Sequence, residues 1–267
     1  MASETITLTF GDCAENHRGM QSMGQMAAAG ITNEELEQIK THIESISNLE
    51  CEVIDLDQIP ITNQNQYINH ILPPAKLLII RNGIKLFGES GSDSDISSRL
   101  YKEQCEFERD KKAFMYGRVV NKKARHNLCF SDFDQDPDYA SGKGTVINFT
   151  RTPILNKIRN ELPAIMQCGK LAGLQCEANY YYDIDKTYIG FHGDTERRIV
   201  VGLRLGAKFP LHYQWYYQHQ SVSNLETIQL NNGDIYIMSD KAVGYDWKHG
   251  SRYTLRHAAG LIKNISK

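Results

Sequence analysis

The stretch Leu174 to Gln220, LQCEANYYYDIDKTYIGFHGDTERRIVVGLRLGAKFPLHYQWYYQHQ, decides the fold class. Short runs rich in β-branched and aromatic residues predict strands at Cys176 to Tyr182, Tyr188 to His192, Ile199 to Leu205 and Leu211 to Tyr217. Downstream the texture continues at Glu226 to Leu230, Asp234 to Met238 and Tyr253 to Ala258, with Gly, Asn and Asp turns between the runs. Many short strands with such punctuation predict a β-sandwich or jelly roll.

Upstream the pattern is mixed. A charged helix is expected over Arg99 to Lys112, strands near Arg118 to Val120 and Asn127 to Phe130, and a helix from Ile154 to Met166 beside Pro153. At the N-terminus, Thr5 to Thr9 alternates with Ile6, Leu8 and Phe10 as a strand does, and Gly11-Asp12 opens a segment of helical character. Thr32-Asn33-Glu34-Glu35 reads as a helix start leading into Leu36, Ile39 and Ile43. Strands follow at Cys51 to Leu56 and Lys76 to Ile80, and Arg81-Asn82-Gly83 predicts a hairpin into Ile84 to Phe87. Gly88 to Ser98 has linker composition. The expected architecture is therefore α+β: a small N-terminal α/β unit over residues 1–98, then a C-terminal jelly roll with flanking helices over 99–267.

The chain has 267 residues, 41% hydrophobic and 23% charged, with 30 Lys+Arg against 32 Asp+Glu and a net charge of -2. It is not a polycation, so any basic surface must be local. No apolar run reaches the roughly 18 residues of a membrane span, and Glu4 stands where a signal peptide carries positive charge. No membrane partner is expected, and the six scattered cysteines without a C-x-x-C pair suit free thiols in an intracellular compartment, cytoplasmic or nuclear. Oligomeric state is not legible. Gly142-Lys-Gly-Thr145 lacks the spacing of a phosphate loop. Asp132-Phe-Asp134-Gln-Asp136 fails as a calcium loop at Pro137 and Lys143.

Chemistry concentrates in Ile189-Gly-Phe-His192-Gly-Asp194-Thr-Glu-Arg197. On a strand, residues i and i+2 share a face, so His192 and Asp194 can reach one metal ion. A further histidine would complete a two-histidine, one-carboxylate triad, which leaves iron positions open for oxygen chemistry. Asp246-Trp-Lys-His249 and Thr254-Leu-Arg256 follow in the order third ligand, then arginine.

These residues resemble the AlkB-like Fe(II)- and 2-oxoglutarate-dependent dioxygenases, in a divergent form of the kind carried by large DNA viruses. The resemblance covers about residues 115 to 260. Arg125, Phe130 and Asp132 in ARHNLCFSD resemble the family's lid segment and would contact substrate. Asn179-Tyr-Tyr181 resembles its N-x-Y strand, IGFHGDTER its metal segment and TLRHAAG its terminal T-F-R-x-A-G strand. The resemblance implies a double-stranded β-helix and turnover of O2 and 2-oxoglutarate to succinate and CO2. It further implies His192, Asp194 and His249 as iron ligands and catalytic centre, with Asn179, Tyr181, Arg252 and Arg256 around the co-substrate. Asp246 and His257 stay open as alternative third ligands, although His257, adjacent to Arg256, would face away if Arg256 binds co-substrate. Tyr182 competes with Tyr181 for the register.

Arg109 to Arg125 holds seven basic residues and one acid, and the rest of the chain holds 23 basic and 31 acidic residues. This local cluster, beside Phe114, Tyr116 and His126, suits a nucleic-acid backbone and stacking on bases. The substrate expected is a nucleic-acid base or nucleotide. A protein side chain or small metabolite is the alternative, and a non-catalytic jelly-roll binding module is a third reading.

Overall fold

The N-terminal run TITLTFG forms β1 (Thr5–Gly11), buried along its whole length. Its alternation sends Ile6, Leu8 and Phe10 to one face and Thr5, Thr7 and Thr9 to the other. In the computed structural model, which describes residues 3–62, 71–88 and 95–265, this strand is hydrogen-bonded on both edges. It runs antiparallel to β10 (Gln175–Tyr181) and to β12 (Val201–Gly206).

Around it lies an eight-stranded sheet. Beyond β12 come β16 (Ile235–Met238), β5 (Lys76–Ile80) and β4 (Cys51–Asp55), and beyond β10 come β8 (His126–Ser131) and β9 (Val146–Asn148). The outer face carries Ile6, Leu8, Phe10, Phe130, Tyr180, Leu203 and Ile237, all essentially buried. Helices α1 (Asn33–Ile46), α2 (Ile96–Cys105) and α3 (Pro153–Ile165) contribute Leu36, Ile39, Leu100, Leu155 and Leu162 to the same core. A capping box between Thr32 and Glu35 starts α1, worth about 1 kcal/mol. The Glu103 carboxylate of α2 accepts from the backbone nitrogens of Ile154 and Leu155, an anion at the positive end of α3.

A second sheet orders β11 (Ile189–His192), β17 (Thr254–Ala259), β13 (Phe209–Tyr217) and β14 (Gln220–Ser221), with β15 (Glu226–Leu230) also on β13. It faces the inner side of the first sheet: Leu77, Ile79 and Met238 share a core with Leu211, Trp215, Ile228 and Leu255. Two hairpins complete the strands, β2 (Cys13–Glu15) with β3 (Ser22–Gly24) and β6 (Lys112–Met115) with β7 (Arg118–Asn121). Short helices α4 (Asp240–Val243) and α5 (Ile262–Ile265) flank the second sheet. The protein is mixed α+β, mostly strand.

Several expectations change. The division near residue 98 does not separate two units, because β1 is central and β4 and β5 extend the same sheet. Residues 89–94 of the linker-like stretch lie outside the described residues. Gly11-Asp12 leads into strand β2 instead of a helix. Asn82 takes the left-handed conformation at φ 54° and starts a 3-10 turn over Gly83–Phe87, so no second hairpin strand forms. The charged helix stops at Cys105, and the chain re-enters as a strand at Lys112.

A chain beginning at residue 99 loses the strand shared by β10 and β12, and we expect it to show no cooperative urea transition. In the full chain, Leu8→Ala should cost about 2–5 kcal/mol by the same measurement. A cooperative transition in the fragment would restore the two-unit division.

Candidate metal centre

Cross-strand pairing assembles the centre. His192 ends β11 directly opposite His257 of β17, and the two rings lie 4.4 Å apart between centroids. Asp194 follows two residues on, with Oδ1 3.5 Å from His192 Nε2 and 3.8 Å from His257 Nε2. The three donor atoms lie within 4.8 Å of one another.

Gly193, between the two ligands, makes this turn possible. A Cβ there would stand 2.1 Å from the Gly244 carbonyl oxygen, so only glycine allows the approach. The Asp194 nitrogen then donates to the Val243 carbonyl at 3.0 Å, fastening the loop to the end of α4.

The donor chemistry fits a metal. The carbonyl of Gly190 can only accept, so the 2.8 Å contact to His192 Nδ1 places a proton there and turns Nε2 toward Asp194. Burial pushes His257 well below the usual imidazole range, with His192 and Arg197 adding, so its ring is neutral. Two imidazole nitrogens and a carboxylate oxygen converging on one point are the donor set of a divalent-cation site.

The third donor is therefore His257, and the expected His249 is not part of the cluster. His249 lies exposed in a turn, its nitrogen donating to Asp246. Asp246 is taken by Lys241 at 2.8 Å, and Arg252 faces that carboxylate at 3.9 Å with its side chain 58% exposed. Strand parity displaces Arg256 as well. With His257 facing inward, Arg256 faces outward, over the Tyr216 ring at 4.0 Å and toward the Trp247 carbonyl. Neither Arg252 nor Arg256 lines the cavity beside the triad.

That cavity, about 530 Å³, lies between the two sheets and includes all three donors in its wall. The first sheet presents a polar strip to it: Thr7 and Thr9, then Glu177, Asn179 and Tyr181, then Arg204. Asn179 and Tyr181 face inward as expected. Tyr182 points away, its hydroxyl donating to Lys123. Arg125 also lines the cavity and donates through Nε to Asn179 Oδ1 at 2.5 Å. Arg197, fully buried, donates to Glu177 at 2.6 Å and Glu196 at 2.9 Å, with Nε 3.6 Å from Asp194 Oδ2. Burial opposes its charge, yet the carboxylates of Asp194, Glu177 and Glu196 hold the guanidinium above its usual range.

Two expected substrate residues lie elsewhere. Phe130 is in the outer core against Phe107 and Phe149, and Asp132 forms a two-pronged pair with Arg159 at 2.7 and 2.9 Å. The basic segment is divided. Arg109 is held by Glu4, and Lys122 donates to Asn16 and Asn127, with burial pushing its amine down to about 8. Lys111, Lys112, Arg118 and Lys123 are exposed, around a hairpin whose tip, Tyr116, is 90% exposed.

Sequence reading missed Arg204, Glu15, Arg197 and Trp247 in the cavity wall. The signal for Arg204 was an arginine inside the apolar strand Val201–Gly206, since a charge on such a strand needs a reason.

Fold and site together define the class: a mixed α+β protein of two facing sheets with a two-histidine, one-aspartate candidate metal centre. No family model matches the chain. It is 46% identical over 265 residues to an uncharacterized protein of Acanthamoeba polyphaga mimivirus, covering 98% of each chain. The chain belongs to the family of that viral protein. Among the described residues, no helix is long and apolar enough to cross a membrane.

Glu15 offers a pH test of the cavity wall. Burial pushes its carboxyl up to about 7, Glu196 and Glu177 add, and the Gly19 nitrogen and Arg197 oppose. The folded protein then holds this proton more tightly than the unfolded chain, so stability falls as pH rises from the usual glutamate range through about 7. We expect Glu15→Gln to lose part of that fall and to melt at or above wild type at pH 8, by thermal unfolding across pH 4 to 8. A parallel pair of curves would remove Glu15 from this role.

Proposed function

We propose that the protein is an Fe(II)- and 2-oxoglutarate-dependent dioxygenase that hydroxylates or oxidatively demethylates a nucleic-acid base or nucleotide. The observation carrying this reading is the His192–Asp194–His257 triangle opening into a cavity between two sheets. Three protein donors on one side of an ion leave the other side for exogenous oxygen ligands. Support from the fold is that β11-β17-β13-β15 faces β16-β12-β1-β10, four strands against four, as a double-stranded β-helix requires.

Bound iron(II) would supply a place where O2 and a keto acid meet. The chain's own residues do the rest. The Gly190 carbonyl fixes the His192 tautomer, and Arg197 takes the side of Asp194 turned away from the imidazoles. Val200, Leu211 and Met238 give the cavity an apolar section of wall.

For the substrate, the support is electrostatic. Four exposed cations of the β6–β7 region have no carboxylate partner among the described residues, and Tyr116 stands at the hairpin tip as a stacking surface. Arg125, just beyond β7 in the chain, lines the cavity. Glu15 and Glu196 in the same wall favour a cationic group, which supports a second reading in which the target is a basic protein side chain.

Anaerobic titration of the metal-free protein with Fe(II) and 2-oxoglutarate should give the weak visible charge-transfer band of the chelated complex. We expect His249→Ala to retain the band and His257→Ala to lose it, with metal affinity down at least about tenfold. Succinate formation stimulated by oligonucleotides, and falling steeply with salt, would support a nucleic-acid substrate. Stimulation by basic peptides alone would favour the second reading. Absence of the band in wild type would leave a binding module without this chemistry.

A further inference from the structure

Five cations line the cavity, and four are accounted for. Arg197 is matched by Glu177 and Glu196, Arg125 is held by Asn179, and Arg18 and Lys248 lie over the Trp247 indole at 5.6 and 5.9 Å. Arg204 is different. It is 1% exposed and, among the described residues, no carboxylate lies within ion-pair distance of it. Its one hydrogen bond runs from Nη1 to Thr7 Oγ1 at 2.5 Å, and its buried Nε has no partner. The Phe209 ring, 5.3 Å from the guanidinium carbon, and the rings of Tyr181 and Tyr236 surround it.

A buried guanidinium with idle donors is costly unless an anion joins it. Its planar fork matches a carboxylate. The surrounding wall is shaped for that fork. Tyr236 lies across Gly202, where a Cβ would overlap the ring at 1.9 Å, so glycine leaves the tyrosine its place near Arg204. On the facing sheet, the residue two after His257 on the same strand face is Ala259, which takes little of the space between the sheets.

Resting on the dioxygenase reading, we infer that Arg204, oriented by Thr7 of the N-terminal strand, anchors the distal carboxylate of a keto diacid whose other end reaches the metal centre. This makes β1 part of the co-substrate site and gives the protein a reason to prefer a five-carbon keto diacid over a keto monoacid. Arg204 touches the ligand; Thr7 acts through Arg204 and is a positioning residue.

The test is binding, read by the charge-transfer band of the Fe(II)-loaded full chain under anaerobic conditions, with 2-oxoglutarate and pyruvate as the two probes. Arg204→Met should weaken 2-oxoglutarate binding at least about 30-fold and leave Fe(II) affinity and pyruvate binding unchanged, so the preference for the diacid collapses. Thr7→Val should weaken the diacid about 2- to 10-fold with no effect on the monoacid. Arg256→Met should change neither. Arg204→Lys keeps the charge without the fork, and should fall between wild type and Arg204→Met; with Thr7→Val it carries the test if the methionine variant does not fold. Equal diacid affinity in wild type and the Arg204 variants, or a loss in Arg256→Met instead, overturns this inference while the dioxygenase reading stands. No band in wild type overturns both.

Discussion

Everything in the cavity depends on the register of β1 between β10 and β12. A strand hydrogen-bonded on both edges has no freedom to slide once one face is packed, and Ile6, Leu8 and Phe10 are packed into the outer core. Fully burying each of these is worth about 1.5–3 kcal/mol. A slip by one residue would exchange them for Thr5, Thr7 and Thr9 and reverse every side chain. In the observed register Thr7 stands between Asn179 on one neighbour and Arg204 on the other. The same pairing that secures the core therefore lines the cavity with hydroxyl, amide and guanidinium groups.

Polar groups between two sheets are destabilising unless each is satisfied. Here they form a chain. Asn127 and Arg125 both donate to Asn179 Oδ1, Asn179 donates to Glu177, and Glu177 accepts from Arg197. Burial works against the Glu177 charge, but Arg197 and Arg125 hold its carboxyl below the usual range. Arg197 stands among three carboxylates, so one positive charge is shared by Glu177, Glu196 and Asp194. Three carboxylates around one guanidinium put negative charge beside the converging imidazoles, which favours a cation there. At the other end of the strip, Arg204 leaves positive charge in excess. The cavity wall thus carries both a carboxylate-rich part and a buried guanidinium.

Strands were the legible part of the sequence, because alternation and turn residues report local geometry. β10, β12, β13 and β17 lie within a residue or two of their expected limits. His192 and Asp194 were legible for the same reason, being two apart on one strand. What alternation does not report is which strand pairs with which. Nothing in Thr5 to Thr9 says that the first strand of the chain lies between two strands some 170 and 200 residues later, so the N-terminal section read as a unit of its own. His249 reads as the third ligand only while Arg256 is given the inner face of its strand, and the one choice of face entails the other.

The face of β17 is decided by its neighbours. His257 stands opposite His192 on β11 and opposite Tyr213 on β13, and both partners point inward. An antiparallel strand cannot present two consecutive residues to one side, so placing His257 at the metal centre removes Arg256 from it. A cation for a carboxylate at this site must then come from another strand. The facing sheet carries one whose buried Nε has no partner, Arg204 on β12, beside a threonine of the strand that holds the sheet together. Third donor and displaced arginine are thus a single consequence of strand parity: the residue that completes the triangle excludes its neighbour from it.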